Sequence, residues 1–250
     1  MLMEAYKSLW NLVDGLLDFV YPRNIECILC RDPIEKKEKY AICASCKKKI
    51  HFAEEKTCKK CGKPLEELYL PELCHDCMMT KHFFTRSYTC VVYDEEIKTL
   101  LYRLKYGKQR YLAYHMAEMM TAKIKEKELE QMHWIIPVPL HTAKKRQREF
   151  NQSEIISQYI SRQTGWPMDE KNLIRIKDTA TQNKLSREER KINMKNAFQI
   201  LKPEKIKAKK ILLVDDIYTT GSTLNSCSKE LLRAGALDIY AITFAAGKNI

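Results

Sequence analysis

ILLVDDIYTTGST, residues 211–223, runs four aliphatic residues straight into two adjacent acids and then into a hydroxyl-rich turn with one glycine. An unbroken apolar run closed by a turn predicts a strand covered on both faces, as in a parallel sheet. The following STLNSCSKELLRAGA predicts a helix with Gly235 at its end. Asp215 and Asp216 then stand at the carboxyl end of a central strand, where open α/β sheets bind their ligands. Thr219, Thr220, Gly221, Ser222 and Thr223 form a turn that aims backbone N–H groups, hydroxyls and a helix dipole at one point. That is a phosphate cradle, with Gly221 allowing close approach. Two neighbouring carboxylates suit sugar hydroxyls, or a magnesium ion reached through water.

Working outward, SYTCVVY, WIIPVPL, LIRI, AFQI and DIYAITFAA read as strands. Between them fall helical patterns: one ending at Gly107, one over residues 112–130 and one from Gln152 to Gln163. The alternation predicts an α/β fold: a mostly parallel sheet with helices on both faces. After WIIPVPL comes a basic loop with Lys144, Lys145, Arg146 and Arg148, whose charge suits a pyrophosphate. The long polar segment RIKDTATQNKLSREERKINMKNAF has the character of a loop that closes over a bound ligand, with a capped surface helix as the plainer reading. Within it Gln182, Lys184, Arg190 and Asn193 are candidate ligand contacts. Neither a Walker loop nor a dinucleotide fingerprint is present.

Eight of the 10 cysteines form four CxxC pairs: Cys27/Cys30, Cys43/Cys46, Cys58/Cys61 and Cys74/Cys77. They belong to an internal repeat, since Cys27 and Cys58, like Cys46 and Cys77, stand 31 positions apart. With no export signal in the sequence, thiolate metal sites are favoured over disulfides and redox dithiols. Two structural zinc ions are expected, one per repeat, because four thiolates leave no open coordination position. Pairing across the repeats is the alternative. Cys90 and Cys227 read as core residues.

The 250 residues carry a net charge of +12, a modest pointer to phosphate-bearing partners. No run reaches the length of a membrane span. The amino-terminal stretch spaces Leu9, Leu12, Val13, Leu16, Leu17 and Val20 as an amphipathic helix. Glu4, Asp14 and Asp18 make it unlike a signal peptide, so a cytoplasmic location is expected. The boundaries expected are 1–25 for that helix, 26–80 for a double zinc ribbon and 81–250 for the α/β domain.

VDDIYTTGST resembles the phosphoribosyl pyrophosphate (PRPP) signature of type I phosphoribosyltransferases. Together with the CxxC ribbons, LKYG (104–107), PVPLH (137–141), REFNQ (148–152) and TQNKL, it resembles the ComF/GntX family of competence-associated phosphoribosyltransferase-like proteins. One departure stands out: Glu149 replaces the glycine usual in that family pattern, which puts the shape and charge of the pyrophosphate loop in question. The resemblance implies a type I phosphoribosyltransferase fold, PRPP bound with magnesium, and a role in DNA uptake. Asp215 and Asp216 would hold the ribose in catalysis, the 219–223 turn the 5-phosphate, and Lys144, Arg146 and Arg148 the pyrophosphate. Two functions compete. One is an enzyme transferring the phosphoribosyl group to an unidentified acceptor. The other is a PRPP sensor or scaffold that grips single-stranded DNA or a helicase through its ribbons and basic surface.

Overall fold

The computed structural model describes residues 24–35, 37–53, 56–177 and 196–247. The expected amino-terminal helix lies almost wholly outside the described residues, as do Gln182, Lys184, Arg190 and Asn193. The chain divides into two compact units, Met1–Ile50 and His51–Ile250.

In the first unit, the short helix α1 (Ala44–Lys47) starts inside the second knuckle, with Cys43 as its N-cap and Cys46 within it. The larger unit begins with the second ribbon, which carries α2 (His75–Met79). Its body has strands β1 (Arg86–Val92), β2 (Trp134–Pro137), β3 (Leu173–Arg175), β4 (Phe198–Ile200), β5 (Lys210–Tyr218) and β6 (Asp238–Ala246). The helices are α3 (Glu95–Tyr106), α4 (Leu112–Glu126), α5 (Thr142–Arg148), α6 (Gln152–Thr164) and α7 (Ser222–Arg233).

The aliphatic run of β5 lies in one of the two inner strands of a four-stranded sheet ordered β1-β6-β5-β2, with every pairing parallel. Ile211, Leu212, Leu213 and Val214 are all fully buried, which explains the unbroken apolar pattern. Each such side chain contributes roughly 1.5–3 kcal/mol through transfer from water. Helices α4 and α6 pack on one face, and α7 with the antiparallel pair β3–β4 packs on the other. Parallel order puts the carboxyl ends of β2, β5 and β6 on one edge, where the acids and the hydroxyl turn emerge. On the α7 face, Cys58, Cys61 and Cys74 of the second ribbon join Tyr218, Leu224, Cys227 and Leu231 in one apolar cluster. Cys90 and Cys227 are buried, as core residues should be.

The stretch expected as a basic loop is a helix, α5. Ala143, Lys144, Lys145, Arg146, Gln147 and Arg148 are all helix formers. His141 caps it, with Nδ1 accepting from the Ala143 N–H (3.4 Å). The helix stops at Glu149, whose φ of 67° lies in the left-handed region.

Candidate functional site

The two repeats match at the level of single hydrogen bonds. Cys27 N–H donates to Asp32 O and Cys58 N–H to Lys63 O, each at 2.8 Å. Arg31 N–H returns to Cys27 O as Gly62 N–H returns to Cys58 O, each at 2.9 Å. Cys43 N–H donates to Cys27 Sγ (3.4 Å) and Cys74 N–H to Cys58 Sγ (3.3 Å), the amide-to-sulfur contacts that a thiolate favours.

Each repeat gathers its own four sulfurs. The Sγ atoms of Cys27, Cys30, Cys43 and Cys46 lie within 4.8 Å of one another, and so do those of Cys58, Cys61, Cys74 and Cys77. The Cys30–Cys43 and Cys61–Cys74 separations are 3.7 and 3.6 Å. A tetrahedron with Zn–S bonds of about 2.3 Å has edges of about 3.8 Å, so the donor sets fit zinc. Four thiolates close such a site, which makes it structural.

At the carboxyl edge of the sheet lies a cavity of ≈ 280 Å³. Asp215, Asp216, Thr219, Gly221 and Thr223 line it on the β5 side, and Lys144 and Arg148 on the α5 side. The strand end and the basic segment are thus brought to one space. Arg146 is exposed and does not line it. On a helix, Lys144 and Arg148 share a face at i,i+4, while Arg146 points away. Thr220 and Ser222 bond to each other (Oγ1···Oγ 2.8 Å) and line a neighbouring cavity of ≈ 370 Å³. Gly221 has φ +73°, and a Cβ there would sit 2.2 Å from Tyr218 Oη.

The two aspartates are buried and unlike in charge. Asp216 forms an ion pair with Lys105 of α3. Gln152 Nε2 also donates to Asp216 Oδ1 (3.3 Å). Burial acts to raise its pKa, but the Lys105 ammonium and these donors outweigh burial and hold it below the usual value. Asp215 accepts from Ser153 Oγ (3.0 Å) and from the Asp216 amide (2.9 Å). Burial, then the charge of Asp216, pushes its pKa well above the usual value. The two shifts run in opposite directions: the proton is favoured on Asp215 and the negative charge on Asp216.

Sequence reasoning left Lys105, Gln152, Ser153 and Tyr106 without roles. Arg148 Nη2 donates to Tyr106 Oη (2.8 Å), and the guanidinium lies 4.9 Å over that ring. Arg148 Nη1 reaches Gln152 Oε1 (3.3 Å), and Gln152 reaches Asp216. Asn151 caps α6 through Ser153 N–H (3.1 Å) and donates to Val138 O (3.0 Å), fixing the helix to the end of β2. LKYG and REFNQ thus form one polar network that joins the two halves of the cavity. Their place among the motifs that carry the family resemblance was the available signal. Glu149 keeps the backbone angle that a glycine would supply, and its carboxylate pairs with Lys108 (3.0 Å) and Arg110 (3.6 Å).

Parallel sheet, hydroxyl loop and paired cysteine quartets define a protein of type I phosphoribosyltransferase fold carrying a double zinc ribbon. Residues 129–249 match the phosphoribosyl transferase domain family, and residues 16–78 match the double zinc ribbon domain family. The chain is 31% identical over 221 residues to competence protein F of Haemophilus influenzae, spanning 86% of this chain and 94% of that protein. It is 30% identical over 214 residues to the DNA utilization protein YhgH of Escherichia coli K12, spanning 84% and 92% of the two chains. Competence protein ComFC of Bacillus subtilis is 22% identical over 240 residues, 93% of each chain. The chain belongs to the competence protein F family. Among the described residues, no helix is long and apolar enough to cross a membrane.

Proposed function

We propose that the cavity binds PRPP with magnesium and that the protein serves DNA uptake, as the names of its relatives suggest for them. The observation that carries this reading is the convergence of two buried acids, the turn residues Thr219, Gly221 and Thr223, and the cations Lys144 and Arg148 on one space of ≈ 280 Å³. The 219–223 turn takes the 5-phosphate. Asp216, whose charge Lys105 favours, accepts from one ribose hydroxyl, and Asp215, whose pKa is raised, meets a second. Lys144 and Arg148 meet the pyrophosphate, and the polar network behind Arg148 keeps it oriented. Magnesium, arriving with PRPP, adds charge neutralisation at the departing pyrophosphate. Arg175 lines the same cavity and is a further anion contact. The ribbon quartets hold zinc for structure, and the protein acts in the cytoplasm.

Calorimetry with PRPP and magnesium tests the pocket. Wild type binds, and Asp215→Ala with Asp216→Ala removes binding; equal affinities would sink the assignment. Incubation with PRPP and a panel of bases, amines and single-stranded DNA, followed by pyrophosphate release, tests for transfer to an acceptor. The second reading is a PRPP sensor or scaffold with DNA or helicase partners. Two features support it: the +12 charge, and Leu68 and Leu70 of the second ribbon, which stand 91% and 94% exposed. PRPP binding without release against any acceptor would favour it.

A further inference from the structure

The second ribbon is built into the phosphate loop. Tyr218, the last residue of β5, is 2% exposed and shares an apolar cluster with Cys58, Cys61 and Cys74. Its ring lies 5.7 Å from Lys63 Nζ, and Lys63 pairs with Asp76 (3.0 Å) between the last two cysteines of the quartet. On its other side its Oη faces Gly221 so closely that a methyl group would not fit. That hydroxyl has no hydrogen-bond partner among the described residues. A thiolate held by a metal accepts a hydrogen bond readily, whereas a thiol accepts only weakly.

The ribbon is itself anchored. Ser87 N–H of β1 donates to Lys60 O (2.8 Å), and a side chain at Gly62 would strike Ser87 O at 2.6 Å. The linker after the ribbon holds α7 as well, since Asn225 Oδ1 accepts from Phe83 N–H (2.6 Å). The loop at 219–223 is therefore set between a metal-dependent module and a fixed helix.

We propose that Tyr218 is a positioning residue through which the second metal centre shapes the phosphate loop, so that phosphate affinity depends on metal occupancy of the Cys58, Cys61, Cys74 and Cys77 quartet. The inference rests on the reading of 219–223 as a phosphate loop. A small metal-held ribbon loses its structure when the metal leaves. Tyr218 then loses its backing and Gly221 its contact, and the loop relaxes.

The test uses the full chain and four variants: Tyr218→Leu, Tyr218→Phe, Cys61→Ser, and the double variant Tyr218→Leu with Cys61→Ser. Zinc per chain, PRPP affinity with magnesium and amide exchange at 219–223 are measured for each. Tyr218→Leu retains both zinc ions yet binds PRPP more weakly by on the order of tenfold or more, with faster exchange in the loop. Tyr218→Phe, which keeps the ring, falls between it and wild type. Cys61→Ser loses one zinc and the same affinity, and the double variant is no weaker than either single one. Wild-type affinity in Tyr218→Leu overturns the proposal, as does zinc loss in Cys61→Ser with affinity intact, or additive losses. If Cys61→Ser does not fold, chelator titration of the wild-type chain supplies the metal-free arm. If zinc-loaded wild type does not bind PRPP, the pocket reading fails by itself. Metal-dependent exchange at 219–223 would still uphold the link between ribbon and loop, and metal-independent exchange would refute it.

Discussion

Lys105→Met removes the ammonium that faces Asp216 inside the cavity. The two side chains are 16% and 7% exposed, so the pair is buried. Removing one partner of a buried pair costs about 3–5 kcal/mol when the other keeps its charge. Asp216 has a second course, which is to take up a proton, and this makes the loss depend on pH. In the wild type the folded pKa of Asp216 is depressed. Its contribution is present above the unfolded value of about 3.9 and is lost as pH falls through the folded value. In the variant, burial acts without the cation, so the folded pKa rises. The contribution is then complete below about pH 3.9 and is lost as pH rises. The deficit relative to wild type should therefore widen from pH 5.5 to pH 8.0, reaching about 3 kcal/mol at the higher value. Urea unfolding of both chains at both pH values measures it, and effects shared through the zinc sites cancel. Asp216→Asn added to Lys105→Met should recover most of the stability, because an amide accepts from Gln152 and carries no charge. A deficit equal at the two pH values, or below about 1 kcal/mol at pH 8.0, would refute this account of the pair.

Glu149→Gly relieves a left-handed backbone angle and frees Lys108 and Arg110. Its melting temperature should equal or exceed that of wild type, and calorimetry with pyrophosphate should show tighter binding. Gly221→Ala places a methyl group against Tyr218 at φ +73°. Backbone strain alone costs roughly 1–2 kcal/mol, and PRPP binding should be lost; both are read by thermal unfolding and calorimetry. Elemental analysis should return two zinc ions per chain, and serine in place of one cysteine of either quartet should remove one.

What could be read in the sequence was local. The strand, acids and hydroxyl turn of 211–223 are contiguous, so their geometry follows from one strand–turn–helix junction. The cysteine quartets span 20 residues each and repeat at a fixed interval, which marks them as metal sites, while the gathered sulfurs decide for pairing within each copy over pairing across the repeats. The partners of the acids were not legible, because chain distance hides them. Gln152 and Asp216 are 64 positions apart, and Ser153 and Asp215 are 62 apart. Only the parallel order β1-β6-β5-β2 brings α3, α6 and β5 to one edge. Helical phase was the other hidden quantity. Treated as a loop, the basic segment offers all its cations equally; as helix α5 it presents Lys144 and Arg148 and turns Arg146 outward.

Glu149 shows how a substitution acts through what surrounds it. Its type alone suggests an altered turn and an unwelcome negative charge beside Arg148. The turn survives because the backbone is constrained on both sides. Lys145 N–H bonds to His141 O at the start of α5 (2.9 Å), and Asn151 ties the start of α6 to Val138. The two helix ends leave a left-handed residue as the link between them, whichever side chain stands there. The carboxylate, turned to Lys108 and Arg110, leaves Arg148 to Tyr106 and Gln152. The charge that looked set against the anion site is thereby spent on two cations beside it. Lys108 and Arg110 do not line the cavity as they stand, and the pyrophosphate titration of Glu149→Gly measures whether releasing them adds to binding.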